Sequence, residues 1–309
     1  MAGAFTHFLV CDIAKRSKAI EDQDLFKLLN RHAEFLFLGA VSPDLPYLCF
    51  KTGQFNWADV MHYEKTNAIA LGGHAVLKRV WSKRTEADEV KYAWLLGLTS
   101  HLIADATIHP IVQAIVGPYE QNKEEHRLCE MTQDSLLYRE RKGAEIRYAE
   151  FSSAVKFCGR SPYHRAVMEF WSQLAGRAHA EKNDTPDPNL WFSTYSKAID
   201  AAEGGSGMVA LFRHIGIGSG LIYRTSSELR RDSPQMVEKY YTRVNLPTGG
   251  QGLFSRDGLD RTVGNVVNAW NAMHRGLRSD VDVARLVRNW NLDTGVDMAA
   301  AGQPVTYWG

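Results

Sequence analysis

Apolar side chains recur every three to four positions through the first two thirds of the chain, which is the periodicity of amphipathic and buried helices. That pattern predicts helices over residues 7–19, 24–37, 67–82, 87–115 and 123–139, and again over 144–158, 162–180 and 190–202. No sustained alternation of β-branched and polar residues marks a strand, so the expected class is all-α. Residues 39–47 (GAVSPDLPY) carry two prolines around Asp44, and proline restricts both its own φ and the residue before it. This loop is expected to be stiff and non-helical. A second break at residues 181–188 (EKNDTPDP) predicts the edge of the main helical unit. Past Gly204 the composition shifts to Gly, Arg and Ser; helices are expected at 219–231, 261–275 and 281–289, with residues 292–309 irregular. The division that follows is a helical domain over residues 1–203 and a partly helical C-terminal extension over 204–309.

Composition narrows this only slightly. The 309 residues are 45% hydrophobic and 23% charged, a globular balance. With 36 basic and 35 acidic side chains the formal charge is +1, so no long-range field steers nucleic acid, and no nucleic-acid partner is expected. Residues 1–15 lack the basic start, apolar run and small-residue cleavage site of a signal peptide. The expected compartment is the cytoplasm, with signal-independent export as the alternative. No run of roughly 20 apolar residues of the kind that spans a bilayer is apparent. Cys11, Cys49, Cys129 and Cys158 have no paired spacing and read as reduced core residues.

The sharpest chemical signal is His101-x3-Asp105-x3-His109. Residues four apart on a helix share one face, so Asp105 can share a metal with His101 and stand beside a second metal held by His109. A carboxylate has two oxygens and can bridge cations, whereas an imidazole cannot. The same spacing also arises on a plain polar helix face. His126-x3-Glu130 repeats it on the next helix, where Glu124 and Glu125 make a solvated face the competing reading. His62 follows the stiff loop, just before a helix, where a cap or surface role is the ordinary alternative. Asp44 can accept turn hydrogen bonds, and His7 on the apolar first helix suits a core histidine. Together, four segments supply five histidines and three carboxylates, the donor set zinc prefers when thiolates are not used.

In this order the residues resemble the zinc-dependent phospholipase C family, whose fold is shared more distantly by single-strand-preferring zinc nucleases. The family places a His on the first helix, an Asp in a Pro-containing loop, a His, a His-x3-Asp pair with a further His, and a final His-x3-Glu. Here these are His7, Asp44, His62, His101, Asp105, His109, His126 and Glu130. The resemblance implies three zinc ions. One is held by Asp44, His62, His101 and Asp105, and a second by His109, His126 and Glu130. The third is held by His7 and Asp105 with the N-terminal amine and carbonyl. Relatives expose that amine by removing a leader; here loss of Met1 before Ala2 would expose it. The resemblance also implies hydrolysis of a phospholipid to diacylglycerol and a phosphorylated head group, with transient contact at a membrane surface. Asp44 is the candidate to orient or deprotonate water, and Asp105 the bridging ligand. Glu130 matches the lipase branch, since the nucleases usually carry Asp there. The rival expectations are a single-strand nuclease or nucleotide phosphodiesterase, and a metal-stabilised binding module without catalysis.

Other motifs lead elsewhere. Residues 216–220 (GIGSG) look like a phosphate-cradling loop but lack the following lysine. Residues 256–262 (RDGLDRT) look like part of a phosphatase motif whose nucleophilic cysteine is missing. Trp57, Trp81, Trp94 and Trp171 are expected in the core or a pocket wall. His32, His74, His164, His179, His214 and His274 have no partner at ligand spacing and are expected to be structural.

Overall fold

A computed structural model of the chain describes residues 3–49, 53–146, 151–203 and 223–308. Helices dominate: α1 (Ala4–Ala14), α2 (Gln23–Arg31), α3 (Ala33–Val41), α4 (Asn56–Tyr63), α5 (Ala68–Val80), α6 (Glu86–Val116), α7 (Lys123–Lys142), α8 (Phe151–Phe157), α9 (His164–Ala178) and α10 (Pro188–Glu203). After residue 223 come α11 (Ser226–Asp232), α12 (Pro234–Val237) and α13 (Arg261–Gly276). Among the described residues the only sheets are two antiparallel ribbons, β1 (Val244–Asn245) with β2 (Gln251–Gly252), and β3 (Trp290–Asn291) with β4 (Val296–Asp297). The all-α class holds.

Helix α6 is the axis of the molecule, with α1, α3, α5, α7, α9 and α13 packed around it. A capping box at Thr85 and Asp88 starts it, and Gly117, at φ 86°, ends it. By length and composition it could cross a membrane, yet its apolar window is wholly buried inside the fold. The main core is a continuous hydrophobic cluster that takes in Trp94 and Trp171 as well as Trp270 and Trp290, with a small second cluster at Tyr47 and Ala58. The segments after residue 223 therefore close over the same core as the first helices. Trp57, Trp81, Trp94 and Trp171 are all fully buried in it.

The tightest crossing is α3 on α6. A Cβ on Gly39 would lie 2.0 Å from the Trp94 carbonyl oxygen, and one on Gly97 would lie 2.0 Å from that of Leu36. Real Cβ atoms never approach so closely, so the backbones touch because both positions are glycine. This contact carries the Ala40 carbonyl onto His101, one turn beyond Gly97.

Several expected boundaries move. The helix expected over 24–37 is two helices, broken at His32, whose φ of −115° and ψ of 36° are not helical. The loop expected to be non-helical is instead the end of α3 followed by a 3₁₀ turn, Ser42–Leu48. Prolines 43 and 46 sit three apart, and the first lies in the first turn, where no backbone N–H is needed. His62 lies in the last turn of α4 rather than ahead of a helix. The helix expected at 281–289 shrinks to the single turn Val283–Arg285, and residues 290–297 form a ribbon instead of an irregular tail. The expected helices at 144–158 and 219–231 fall partly on residues outside those described. The GIGSG segment and His214 fall wholly outside them.

Gly97→Ala forces a methyl group into a backbone carbonyl that cannot rotate away. Overpacking usually costs about 1–3 kcal/mol, and a rigid backbone neighbour places this variant at or above the top of that range. The melting temperature should drop by about 5 °C or more. An unchanged melt would contradict the close crossing.

Candidate metal centre

His101, Asp105 and His109 line one face of α6, and other elements bring the remaining groups to them. The 3₁₀ turn supplies Asp44, the end of α4 supplies His62, α1 supplies His7 and α7 supplies Glu130. All but Glu130 are almost fully buried, and its side chain is 14% exposed.

Three of the helix-borne imidazoles have one nitrogen committed, whereas neither ring nitrogen of His7 makes a hydrogen bond. His62 Nδ1 donates to the Ala58 carbonyl at 2.7 Å, His101 Nδ1 to Ala40 at 2.9 Å, and His109 Nδ1 to Leu292 at 2.5 Å. These bonds fix the tautomer, so each neutral ring presents a lone pair at Nε2. All three lone pairs point at carboxylates. His62 Nε2 is 3.2 Å from Asp44 Oδ1, and His101 Nε2 is 3.2 Å from Asp105 Oδ2. The two Nε2 atoms are 3.3 Å apart. The cross distances, His62 to Asp105 Oδ2 and His101 to Asp44 Oδ1, are both 3.8 Å. Four potential ligand atoms thus face one another, and a proton or a cation must lie among them.

Tetrahedral zinc with bonds of roughly 2.0–2.1 Å holds its ligand atoms roughly 3.3 Å apart. The separations above, 3.2 to 3.8 Å, match such a set. The other oxygen of Asp105 faces the opposite way, with Oδ1 3.3 Å from His7 Nε2 and 3.5 Å from His109 Nε2. His109 Nε2 is also 3.9 Å from Glu130 Oε1. Neither His7 Nε2, His109 Nε2 nor Asp44 Oδ1 makes a hydrogen bond, although all three atoms are buried. Buried polar atoms seldom go unbonded, and these fit a cation. Two overlapping trios, His7 with His101 and Asp105, and Asp44 with His62 and His101, gather their ligand atoms closely enough to hold metal.

The Nε2 of His126 donates to the Gly117 carbonyl at 2.7 Å, leaving Nδ1 as the lone pair, and burial holds its pKa below the ordinary imidazole value. Met1 and Ala2, implied as the source of a terminal amine ligand, lie outside the described residues.

The protonation states follow from burial and this crowding. Burial opposes charge on His101, but Asp105 and then Asp44 override it and raise its pKa to about 9. Burial also opposes charge on Asp105, yet His109, His101 and His7 hold it well below the usual carboxylate range. Burial, aided by His101, lowers His7; burial brings His109 down to about 4. Asp44 sits below its ordinary value because His101 and His62 outweigh burial. Burial raises Glu130 to about 8, with the Asp105 and Asp134 charges adding to it. In the metal-free protein a proton on His101 therefore does the work of a cation.

Two acids were missed from the sequence. Asp134 accepts from Thr6 N–H at 2.8 Å, Thr6 Oγ1 at 2.6 Å and Tyr223 Oη at 2.8 Å, which pins the start of α1 beside His7. Its signal was available, since it lies four residues after Glu130 on the same helix face. Asp293 approaches His109 Nδ1 to 3.9 Å, and nothing in the local sequence marks it. In contrast, His32, His74, His164, His179 and His274 lie away from the centre; His74, for example, bonds the Met273 carbonyl. Residues 256–262 run from a π-helical turn, Phe254–Asp260, into the start of α13, and Arg256 pairs with its neighbour Asp257.

Imidazole and carboxylate ligand atoms converge around Asp105 in buried groups that could hold metal. A family model for zinc-dependent phospholipase C matches residues 6–183, which is more than half of the chain. The protein belongs to the zinc-dependent phospholipase C family. Comparison with curated proteins and with solved structures returned no match.

Zinc must displace protons from His101 and Glu130, which hold them at pH 7, so affinity should rise with pH toward about 9 and fall on acidification. Loading at pH 7 should release about two protons per chain. Calorimetry in buffers of different protonation enthalpy measures this, and zero release would contradict the assignment.

Proposed function

We propose that the protein is a phospholipase C that binds two to three zinc ions and hydrolyses a phospholipid, met at a membrane surface, to diacylglycerol and a phosphorylated head group. The observation that carries this reading is the buried convergence of Asp44, His62, His101 and Asp105, continued through Asp105 Oδ1 to His7 and His109. Asp44, His62, His101 and Asp105 would hold one ion; His109, His126 and Glu130 would hold the second; His7 and Asp105 would contribute to the third. Bound zinc supplies Lewis acidity toward a phosphate ester and toward water at neutral pH.

The chain's own groups do the rest. Asp105 keeps the two sides of the centre together through its two oxygens. Asp44, an anion at neutral pH, takes the proton of the attacking water. The water oxygen bonds phosphorus, the bond from phosphorus to the glycerol oxygen breaks, and that oxygen leaves as diacylglycerol with one proton from solvent, balanced by return of the Asp44 proton to solvent. The buried imidazoles, fixed by the Ala58, Ala40 and Leu292 carbonyls, do not reorient during this exchange.

The test is zinc-loaded protein offered a panel of phospholipid vesicles and, separately, single-stranded DNA. Diacylglycerol release with DNA left intact is expected, and Asp44→Asn should lower kcat by about 10²–10⁴-fold. Cleavage of DNA alone would move the protein to the nuclease branch. Zinc uptake without turnover of either substrate would make it a binding module.

A further inference from the structure

Residues 287–308 lie beyond the family match and cross the metal-bearing ends of α4 and α6 as a strap. The strap is tied along its length. Thr66 donates its N–H to Asn289 Oδ1 at 2.9 Å and its hydroxyl to the Trp290 carbonyl at 2.8 Å. Trp308 Nε1 reaches the Thr107 carbonyl at 2.7 Å. Gly295, at φ 66°, presses so closely that a Cβ would lie 2.4 Å from the Ala106 carbonyl oxygen. That carbonyl is the one whose helical partner N–H is missing at Pro110.

The middle of the strap touches both sides of the centre within two residues. The Leu292 N–H donates to the His62 carbonyl at 3.0 Å, and the Leu292 carbonyl accepts from His109 Nδ1 at 2.5 Å. The Asp293 carbonyl accepts from Gln113 Nε2 at 2.7 Å, and Asp293 Oδ2 accepts from the Tyr63 hydroxyl at 2.9 Å. That leaves Oδ1 facing the His109 ring at 3.9 Å. His62 and Tyr63 end α4, whereas His109 and Gln113 lie one turn apart on α6. His62 serves one side of the centre and His109 the other.

We propose that Leu292 and Asp293 form a clamp that completes the metal centre, with Asp293 as a positioning residue for His109 and a tie between its two sides. The inference rests on the metal reading above. The Leu292 carbonyl takes the His109 N–H, and the mostly buried Asp293 carboxylate 3.9 Å from the same nitrogen adds a negative charge that makes the far nitrogen a stronger ligand; loss of an outer partner of this kind weakens metal binding about 10–100-fold. The Tyr63 bond holds that carboxylate in place. An ordinary loop anchor would lower stability and leave the metal untouched.

The experiment compares full-length wild type with Asp293→Asn, Asp293→Glu and Tyr63→Phe. Zinc affinity is measured by competition with a chromophoric chelator, and the cobalt(II)-substituted forms give visible spectra. Asp293→Asn should weaken one zinc by about 10–100-fold and shift one part of the cobalt spectrum. Tyr63→Phe should act in the same direction but less, the double variant should add little to Asp293→Asn, and Asp293→Glu should recover part of the loss. If Asp293→Asn does not fold, Tyr63→Phe carries the same two readouts. Affinities and spectra equal to wild type, whatever the melting temperatures, would overturn the clamp alone. A wild type that takes up no zinc would overturn the metal reading and the clamp with it.

Discussion

The constraint on which the structure turns is a surplus of lone pairs in a dry interior. Asp105 is fully buried along the axial helix, and backbone bonds on the far sides of His62, His101 and His109 turn their other nitrogens toward the centre. Buried acceptors facing acceptors are costly unless a cation or a proton lies between them. The elevated affinity of His101 for a proton is that requirement expressed without metal. The same arrangement suits zinc, whose charge is larger and whose preferred donors are those present.

The scaffold serves this constraint at long range. Glycines at 39 and 97 let α3 and α6 meet backbone to backbone, and that meeting delivers the Ala40 carbonyl to His101. Asp134 pins the start of α1, and with it the approach of His7. The strap after residue 287 supplies the carbonyl that sets the His109 tautomer. The family match stops at residue 183, yet the centre draws on residues a hundred positions further on. Outer bonds of this kind orient metal ligands and tune them.

Much of this was legible in the chain because helices carry their geometry in their spacing. The expected 87–115 helix is Glu86–Val116, and the expected 261–275 helix is Arg261–Gly276. The His101, Asp105, His109 ladder follows from four-residue spacing alone, and extending that rule one turn past Glu130 would have reached Asp134. What spacing cannot show is where separate elements meet. His32 breaks a continuous apolar run because of its packing, and prolines 43 and 46 enter a 3₁₀ turn that local rules read as loop. Asp293 is invisible for the same reason: its partners Tyr63 and His109 are each more than a hundred residues away, and only the closed fold joins them.

The central claim is that Asp105 bridges metal ions, one against each carboxylate oxygen. Diffraction from crystals of the zinc-loaded protein, with data on both sides of the zinc absorption edge, tests it directly. The account predicts anomalous peaks flanking Asp105, one among Asp44, His62 and His101, and another toward His7, His109 and Glu130. A zinc-loaded crystal with no anomalous peak within bonding distance of Asp105 would contradict it.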